Sequence, residues 1–306
     1  MAPPIDVRER IWSVAFLADG DVVSGSEEGK IRRWRVEDGR EVGTPMDAGS
    51  TVRNIGVSRD GKSVVSGSFG LVTVWDVESH SKVTGFKAHR DWVQAVDVSP
   101  DGKRIATGSL DKTLCVWSLS TGERLLGPLE LDSFVRAVKF SPDGRLIATA
   151  NWNPHVRIWD SYNGINLVEF PLIGVYSAVN QSLAWASGSK QLFVLSSDGN
   201  IHCLDVSTGT TLSKWAIHSS DNPNCIALAC NGMFITVSAN SSISFWDTAT
   251  CERIGSIINL EQTDEIWSMA ISTNYVLVVG GGKKITFLGL CGILSTLYLV
   301  DVRVSA

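Results

Sequence analysis

The sequence lacks the residue patterns that mark the common catalytic and metal sites. Its six cysteines include no Cys-x-x-Cys pair, so neither a zinc site nor a disulfide framework is indicated, and reduced thiols are expected. Its five histidines, at positions 80, 89, 155, 202 and 218, are dispersed along the chain. The Gly-Gly-Gly-Lys fragment at 280–283 lacks the full G-x-x-x-x-G-K-[ST] spacing of a phosphate-binding loop and is typical of a β-turn. We therefore predict no catalytic, cofactor or metal site, no small-molecule substrate and no enzyme.

The chain also lacks an excess of positive charge and an N-terminal signal segment. Lysine and arginine number 27 against 32 acidic residues, a net charge of −5, which disfavours general nucleic-acid binding. The sequence begins Met-Ala-Pro-Pro-Ile-Asp, which contains no apolar signal core. We therefore expect the protein in the cytoplasm or the nucleus.

Long hydrophobic runs are scarce as well. The stretch from Ile285 to Val300 is uncharged over sixteen residues, but a membrane-spanning helix needs roughly 20. A pair of buried strands is the expected structure of this stretch, and a membrane-associated or altered tail is the alternative.

What the sequence does contain is strand-like alternation interrupted by turn residues. Between Val93 and Trp117, three apolar runs alternate with period two, separated by Ser-Pro-Asp-Gly at 99–102 and by Asp-Lys at 111–112. Pro, Asp and Gly at such breaks favour tight turns. The segment therefore predicts a three-stranded antiparallel meander.

This meander recurs along almost the whole chain with a step of 41 to 45 residues. The third run of each copy ends in a large apolar residue, and these closing residues are Trp34, Trp75, Trp117, Trp159, Leu204, Trp246 and Phe287. An Asp-Gly turn precedes the second run in the first four copies, and Gly-Ser ends that run in the first three. Because one such sheet cannot bury both of its faces, the copies are expected to stack against one another.

The repeats resemble the WD-repeat (WD40) family. The Trp-Asp dipeptide that gives the family its name stands at 75–76, 159–160 and 246–247, and the resemblance spans roughly residues 8 to 290. It implies an all-β fold, a seven-bladed β-propeller of four-stranded antiparallel blades around a central channel, forming a single domain over residues 1–306. The style of the repeats resembles fungal WD40 repeat arrays of signalling and incompatibility-type proteins.

The resemblance also implies a hydrogen-bonded structural network within a blade. In this family a His before the first strand, a Ser or Thr in the second, an Asp in the next turn and the closing Trp form it. Repeat three has these residues as His89, Thr107 or Ser109, Asp111 and Trp117. Repeat six keeps His218 and Trp246 but has Asn in place of the Asp.

In such rings the N-terminus usually supplies the outer strand of the last blade. Counting back from Trp34 by the offset between His89 and Trp117 reaches Asp6, so we expect the N-terminus to be too short for this role. The apolar, strand-like residues 293–302 are expected to supply the outer strand instead. A chain truncated at its N-terminus is the alternative.

Partners of this family usually bind at the channel mouth, where the resemblance places three positions of each repeat. Large aromatic and basic side chains are frequent there, and the candidate partner-binding residues are Arg10, Trp12, Arg53, Trp92, Gln94, Leu110, Phe134, Arg136, Trp152 and Trp267. Trp and Arg often anchor interfaces, and arginines with few acids favour an acidic or phosphorylated peptide. We therefore expect a non-enzymatic scaffold that binds a protein or peptide within a signalling or regulatory complex.

Two alternatives stay open. A substrate-receptor subunit of a ubiquitin ligase would need an adaptor-binding segment such as an F-box, for which no room is expected beside the repeats. A catalytic or metal site in the channel would need His, Asp or Glu at the mouth, where only Glu27 and Glu265 are acidic. The hypothesis of a binding mouth itself requires that Trp12, Trp92 and Trp267 are not buried between blades.

Overall fold

The computed structural model describes residues 3–153, 155–172, 178–196, 198–217, 223–260 and 265–294. Within these ranges the regular structure consists of β-strands and one 3-10 helix, Leu290–Gly292. The expected all-β class is therefore confirmed. It follows from the alternating apolar runs, whose period of two suits strands.

The strands up to residue 130 are β1 (Ile5–Asp6), β2 (Ile11–Phe16), β3 (Val22–Ser26), β4 (Lys30–Trp34), β5 (Glu41–Asp47), β6 (Asn54–Val57), β7 (Ser63–Gly67), β8 (Phe69–Asp76), β9 (Lys82–Val98), β10 (Arg104–Ser109), β11 (Thr113–Ser118) and β12 (Arg124–Glu130). The later strands are β13 (Val135–Phe140), β14 (Leu146–Asn151), β15 (His155–Asp160), β16 (Asn166–Pro171), β17 (Ala178–Trp185), β18 (Gln191–Ser196), β19 (Asn200–Asp205), β20 (Thr210–Ala216), β21 (Pro223–Leu228), β22 (Phe234–Ala239), β23 (Ser242–Asp247), β24 (Arg253–Asn259), β25 (Ile266–Ile271), β26 (Val276–Gly281) and β27 (Lys284–Gly289).

These strands form antiparallel sheets that follow the order of the chain. Four sheets are simple meanders of four strands: β2 to β5, β13 to β16, β17 to β20, and β21 to β24. A fifth, with the order β1-β27-β26-β25, joins both ends of the described chain. The sheet from β6 to β12 has seven strands because β9 is continuous, pairing with β8 through its first half and with β10 through its second. We call each successive set of first, second, third and fourth strands a unit.

The turns between first and second strands are closed by their own side chains. In the Ser-Pro-Asp-Gly turn of the third repeat, the Oγ of Ser99 donates to Asp101 at 2.5 Å and accepts from the backbone N–H of Arg104 at 2.9 Å. The Ser–Asp contact recurs in the turns at 58–61 and 141–144. The recurring sequence therefore fixes a recurring turn.

The closing residues pack between neighbouring units. Trp75 shares a buried cluster with Ile31 of the preceding unit, and Trp159 shares one with Leu114. The other closing residues are buried as well: Trp34, Trp117, Leu204, Trp246 and Phe287. Stacking between units thus buries the sheet faces that a single unit would leave exposed.

The glycine of the recurring Gly-Ser is required by this stacking. A Cβ added at Gly67 would lie 2.7 Å from Cγ1 of Val93, and one at Gly108 would lie 2.5 Å from Cγ1 of Val135. Each valine belongs to the first strand of the following unit. Any side chain at these glycines would therefore push neighbouring units apart.

Each unit turns its first strand toward a common central cavity. The first strands are β2, β6, the second half of β9, β13, β17, β21 and β25. Each contacts the next one, and β25 contacts β2. All of them contribute residues to the lining of a cavity of about 610 Å³. Trp34 of the first unit packs with Ile285 and Phe287 of β27, so the first and last units are in contact.

The expectation that the N-terminus is too short to pair with the last sheet was wrong. Strand β1 pairs antiparallel with β27, with Ile5 opposite Ile285, so N-terminal residues supply an outer strand of that sheet. The chain has room for this because it turns sharply before β2, where Arg8 has a φ of 63° and donates its N–H to Oδ1 of Asp6 at 3.0 Å. Most of residues 293–302, which were expected to form the outer strand, lie outside the described residues.

Candidate interaction surface at the channel mouth

The candidate partner-binding residues lie where the first strands begin. Arg10 and Arg53 directly precede β2 and β6, and Trp12, Arg136 and Trp267 are the second residues of β2, β13 and β25. Because the first strands stand side by side around the central cavity, their starting ends meet at one mouth of the channel.

Five of the predicted residues form one set of ring and guanidinium contacts together with a sixth residue. We call this set the rim cluster: Arg10, Trp12, Arg53, Phe69, Trp92 and Trp267. The Cζ of Arg53 lies 4.3 Å from the ring centroid of Trp12 and 5.2 Å from that of Trp92. Trp12 also has the Cζ of Arg10 at 5.6 Å, and its ring centroid lies 5.1 Å from that of Trp267 at an interplanar angle of 55°. Arg53 is thus held between two indoles from different units by cation–π contacts.

Phe69 is the member of the rim cluster that the sequence did not identify. It is 53% exposed, and its ring meets Trp92 edge to face with the centroids 5.2 Å apart. Phe69 begins β8 and pairs directly with Trp92 in β9. Phe69 occupies the turn position where repeat three has Asp111. An aromatic residue there could have indicated a role at the mouth, but the repeat pattern assigns this position to the structural network.

Two other predicted residues form a second stacked pair. The Cζ of Arg136 lies 4.7 Å from the ring centroid of Trp152. Phe134 lies just before β13, two residues before Arg136, and is 39% exposed. The structure does not bring Gln94 or Leu110 into these contacts: Gln94 is buried and Leu110 is half-buried.

The tryptophans of the rim cluster stay partly accessible. Trp12, Trp92 and Trp267 are all half-buried, whereas the closing residue Trp75 is only 4% exposed. None of the three belongs to the buried clusters that join the units. Their rings therefore contact other residues of the rim cluster, and the exposed part of each ring is accessible to a partner.

The two central arginines carry positive charge that is not neutralised by any ion pair among the described residues. Within the described residues, the buried Nε atoms of Arg53 and Arg136 have no hydrogen-bond partner, and neither does Nε1 of Trp12. Nor does any ion pair join Arg10, Arg53 or Arg136 to a carboxylate in those ranges. Burial lowers the pKa of Arg53, with Glu27 opposing the shift and Arg10 adding to it. Burial and the charge of Arg53 lower the pKa of Arg136, yet both guanidinium groups stay protonated at physiological pH.

A hydrogen-bonded chain runs through the third repeat from His89 to the closing tryptophan. Thr107 Oγ1 lies 2.7 Å from Nε2 of His89 and accepts from Nε1 of Trp117 at 2.9 Å. The other ring nitrogen of His89, Nδ1, lies 3.1 Å from the Asp111 carboxylate. Because an ionised carboxylate only accepts, Nδ1 donates to it, and Nε2 lies against the Thr107 hydroxyl. Ser109 instead closes the turn, accepting from the backbone N–H of Asp111 at 3.0 Å.

These contacts hold the pKa of Asp111 well below its usual range. Burial acts to raise that pKa, but hydrogen bonds from His89, from the Thr113 hydroxyl at 2.6 Å and from the backbone N–H of Arg90 at 2.9 Å outweigh it. The carboxylate therefore remains charged inside the turn and ties it to the first and third strands.

The sixth repeat is arranged differently. Its predicted His218 lies outside the described residues. Nε1 of Trp246 donates to Ser244 Oγ at 2.9 Å, while Thr236, ten residues before Trp246 as Thr107 is before Trp117, donates to a backbone carbonyl at 3.3 Å. In this repeat the indole N–H of Trp246 therefore finds its acceptor on its own strand, β23.

Comparison with protein families identifies three of the repeats. The model of the WD40 family (WD domain, G-beta repeat) matches residues 7–35, 80–118 and 125–160. Each matched stretch ends one residue after a closing tryptophan. The chain contains WD40 repeats. None of the curated proteins compared with the chain matches it. WD40 repeats generally mediate protein–protein interactions as scaffolds, and propellers built from them are typically non-enzymatic.

The metal-binding side chains do not gather into a metal site in the part of the chain that the structure describes. No group of three or more His, Cys, Asp and Glu side chains there could hold a metal ion. Burial raises the pKa of the Cys225 thiol to about 12 and the pKa values of Cys115 and Cys203 to about 11. These thiols therefore stay protonated near neutral pH and are poor nucleophiles.

The uncharged stretch from Ile285 to Val300 begins as strand β27, as expected for its first part. Residues after 294 lie outside the described ranges. Across those ranges, no helix combines the length and the apolar character that a membrane crossing requires.

Proposed function

We propose that the WD40 repeats of this chain form a seven-bladed β-propeller. The proposal is supported by the continuous series of contacts among the first strands, from β2 through β25 and back to β2. Because β9 serves two units, the seven-stranded sheet counts as two blades, and β1 completes the last one. Every first strand then has two neighbours around the channel.

The propeller is a non-enzymatic scaffold that binds a protein or peptide across the rim cluster, within a signalling or regulatory complex. The observation that carries this function is Arg53, whose guanidinium is held between Trp12 and Trp92 while its Nε stays unpaired. A stacked guanidinium is held in position yet keeps its N–H groups for a ligand. Interfaces are anchored most often by such Trp and Arg side chains.

An acidic or phosphorylated peptide is the ligand that this mouth favours. Arg53 and Arg136 lie within each other's electrostatic reach and have no ion pair among the described residues. Partly buried positive charge without a counter-charge is unfavourable. A carboxylate or phosphate from a partner would supply that counter-charge. Phe69, half exposed beside Trp92, offers apolar contact to the residues next to that anionic group.

The cytoplasm or the nucleus is the proposed compartment. All six cysteines are free thiols. Free thiols are usual in these reducing compartments, where disulfides rarely persist.

Binding to a peptide array, with each sequence in unmodified, phosphorylated and glutamate-substituted form, tests this function. The variant Arg53→Gln/Arg136→Gln removes the two partly buried charges at the mouth. Its matched control, Arg59→Gln/Arg145→Gln, removes two exposed arginines that have no ion pair among the described residues. We expect the mouth variant to lose at least about tenfold in affinity for anionic peptides, since hydrogen bonds to charged groups contribute about 1.5–3 kcal/mol each.

Affinity purification from native extract then identifies the natural partner. The wild type is compared with a variant in which Trp12, Arg53, Trp92 and Arg136 are replaced by Ala, after circular dichroism has shown that both are folded. A partner lost only from the variant supports the mouth as the binding site. Equal recovery of the same proteins, or equal peptide affinity for the mouth variant and its control, would reject it.

A further inference from the structure

A second basic surface lies outside the rim cluster, in the wedge between two successive units. It is a cleft of about 400 Å³ formed by the first half of β9, the turn after β10, and strands β11 and β12. Four cationic side chains line it, and we call this surface the lateral cleft: Lys87, Arg90, Lys112 and Arg124.

The cations of the lateral cleft have no anionic partners in the part of the chain that the structure describes. All four are exposed, and within the described residues none of them forms an ion pair with a carboxylate. Other surface cations of the protein do pair, for example Lys30 with Asp47 at 2.6 Å and Arg35 with Asp38 at 3.3 Å. What distinguishes the cleft is that four unpaired cations line the same cavity.

The acidic residues of the lining do little to offset this charge. Four cations face two carboxylates, those of Asp111 and Glu130, in a chain whose net charge is −5. Asp111 directs its oxygens to His89 and Thr113 within the repeat, so its acceptors are already occupied. Glu130 is exposed at the end of β12.

We propose that the lateral cleft binds an extended, carboxylate-rich segment of a protein partner. The four cations come from three separate elements, β9, the turn after β10 and β12. A ligand with several spaced negative groups therefore neutralises them better than a single ion does. Single-stranded nucleic acid is less suitable because it needs exposed aromatic faces for stacking, and the only aromatic ring in the lining is that of the buried His89.

The lateral cleft lies next to the mouth but does not depend on it. The Nζ of Lys112 lies 6.0 Å from the ring centroid of Phe134, so the two surfaces adjoin across the turn after β10. A partner that occupies the mouth could continue over this turn into the cleft. The inference goes beyond the proposed function because no residue of the rim cluster lines the cleft.

Fluorescence anisotropy with the full chain and a fluorescein-labelled oligo-glutamate peptide tests the inference. The variant Lys87→Glu/Arg124→Glu reverses two cleft charges, and Lys87→Gln/Arg124→Gln removes them more mildly. The matched control, Lys62→Glu/Lys103→Glu, reverses two exposed lysines in turns that do not line the cleft. We expect the charge-reversed variant to bind the probe at least about tenfold more weakly and the control to change less than about twofold. The wild-type affinity should fall as salt is raised, because salt screens exposed charges.

Zero-length carbodiimide coupling locates the bound probe, because it joins carboxylates to lysine amines. Mass spectrometry should find the coupled residues at Lys87 and Lys112. The mouth variant Arg53→Gln/Arg136→Gln removes the anion site proposed for the rim, so it should still couple to the probe at Lys87 and Lys112 even if its total binding of the probe is weaker.

Each contrary outcome has a definite meaning. The inference is overturned if the wild type does not bind the probe, if both cleft variants bind it as the wild type does, or if coupling occurs away from Lys87 and Lys112. Loss of the probe from the mouth variant alone refutes the cleft while leaving the proposed function standing. A single-stranded oligonucleotide that binds more tightly than the probe and is lost from the cleft variants would overturn the assignment to an acidic peptide.

Discussion

Replacing Thr107 by Val should destabilise the protein more than the same change at Thr149, its equivalent in the next repeat. Both threonines are fully buried, and each accepts a hydrogen bond of 2.9 Å from a closing indole, Trp117 or Trp159. Only Thr107 also contacts a histidine, His89, at 2.7 Å. Because valine has nearly the shape of threonine, neither change opens a cavity, and the pair isolates the contribution of the histidine.

The expected difference follows from the number of polar atoms that each change leaves without a partner. Thr107→Val leaves two, Nε1 of Trp117 and Nε2 of His89, whereas Thr149→Val leaves only Nε1 of Trp159. A buried polar group without a partner costs about 1–3 kcal/mol. We therefore expect the free energy of unfolding to fall by about 4 kcal/mol for Thr107→Val and by about 2 kcal/mol for Thr149→Val.

Urea unfolding, followed by tryptophan fluorescence and by far-UV circular dichroism, measures both losses. The two signals must give coincident transitions, because a repeat protein can unfold in parts and a single free energy then has no meaning. A loss at Thr107 no larger than the loss at Thr149 would refute the reasoning that the histidine link stabilises the third repeat.

Three further changes test the fold. Asp111→Asn should lower the free energy of unfolding at neutral pH by about 2–3 kcal/mol. Because the pKa of Asp111 is lower in the folded than in the unfolded state, the difference from wild type should shrink as the pH falls below about 4. Urea unfolding at several pH values checks this, and a difference independent of pH contradicts it. Trp159→Ala should cost about 3–5 kcal/mol and Trp152→Ala at the mouth about 1 kcal/mol or less, so equal losses would argue against packing between units. Deleting residues 1–8 should expose Ile285 and cost about 2–4 kcal/mol, and an unchanged melting temperature would deny β1 a stabilising role.

The repeat pattern locates much of the fold because the positions it marks are set by contacts that recur in every unit. Trp75 and Trp117 end third strands and are buried, as their spacing predicts. At Gly67 and Gly108 the next unit packs so closely that an added Cβ would clash with one of its valines. Each of these contacts involves only one strand and the strand packed against it. A sequence repeat of constant length therefore places the same contact in each successive unit.

The junction of the chain ends could not be predicted by the same rule. Counting back from Trp34 assumes that the first unit has the histidine-bearing loop of repeat three. Instead, the carboxylate of Glu9 accepts from Ser26 Oγ at 2.6 Å and pairs with Arg32 at 2.7 Å. This different polar contact accompanies a short turn into β2, which leaves Ile5 able to pair with β27. A repeat period describes what the units share, and the closing junction is where they differ.

The mouth shows why equivalent positions do not predict equivalent contacts. Gln94 and Arg136 occupy the same place in successive repeats, yet Gln94 is buried and Arg136 stacks on Trp152. Arg53 stacks on indoles from the units before and after its own. No single repeat encodes that arrangement, since it exists only when neighbouring units bring their first strands together. The position of Arg53 therefore depends on neighbouring units together, and substitutions on one unit should alter how an arginine on another is presented.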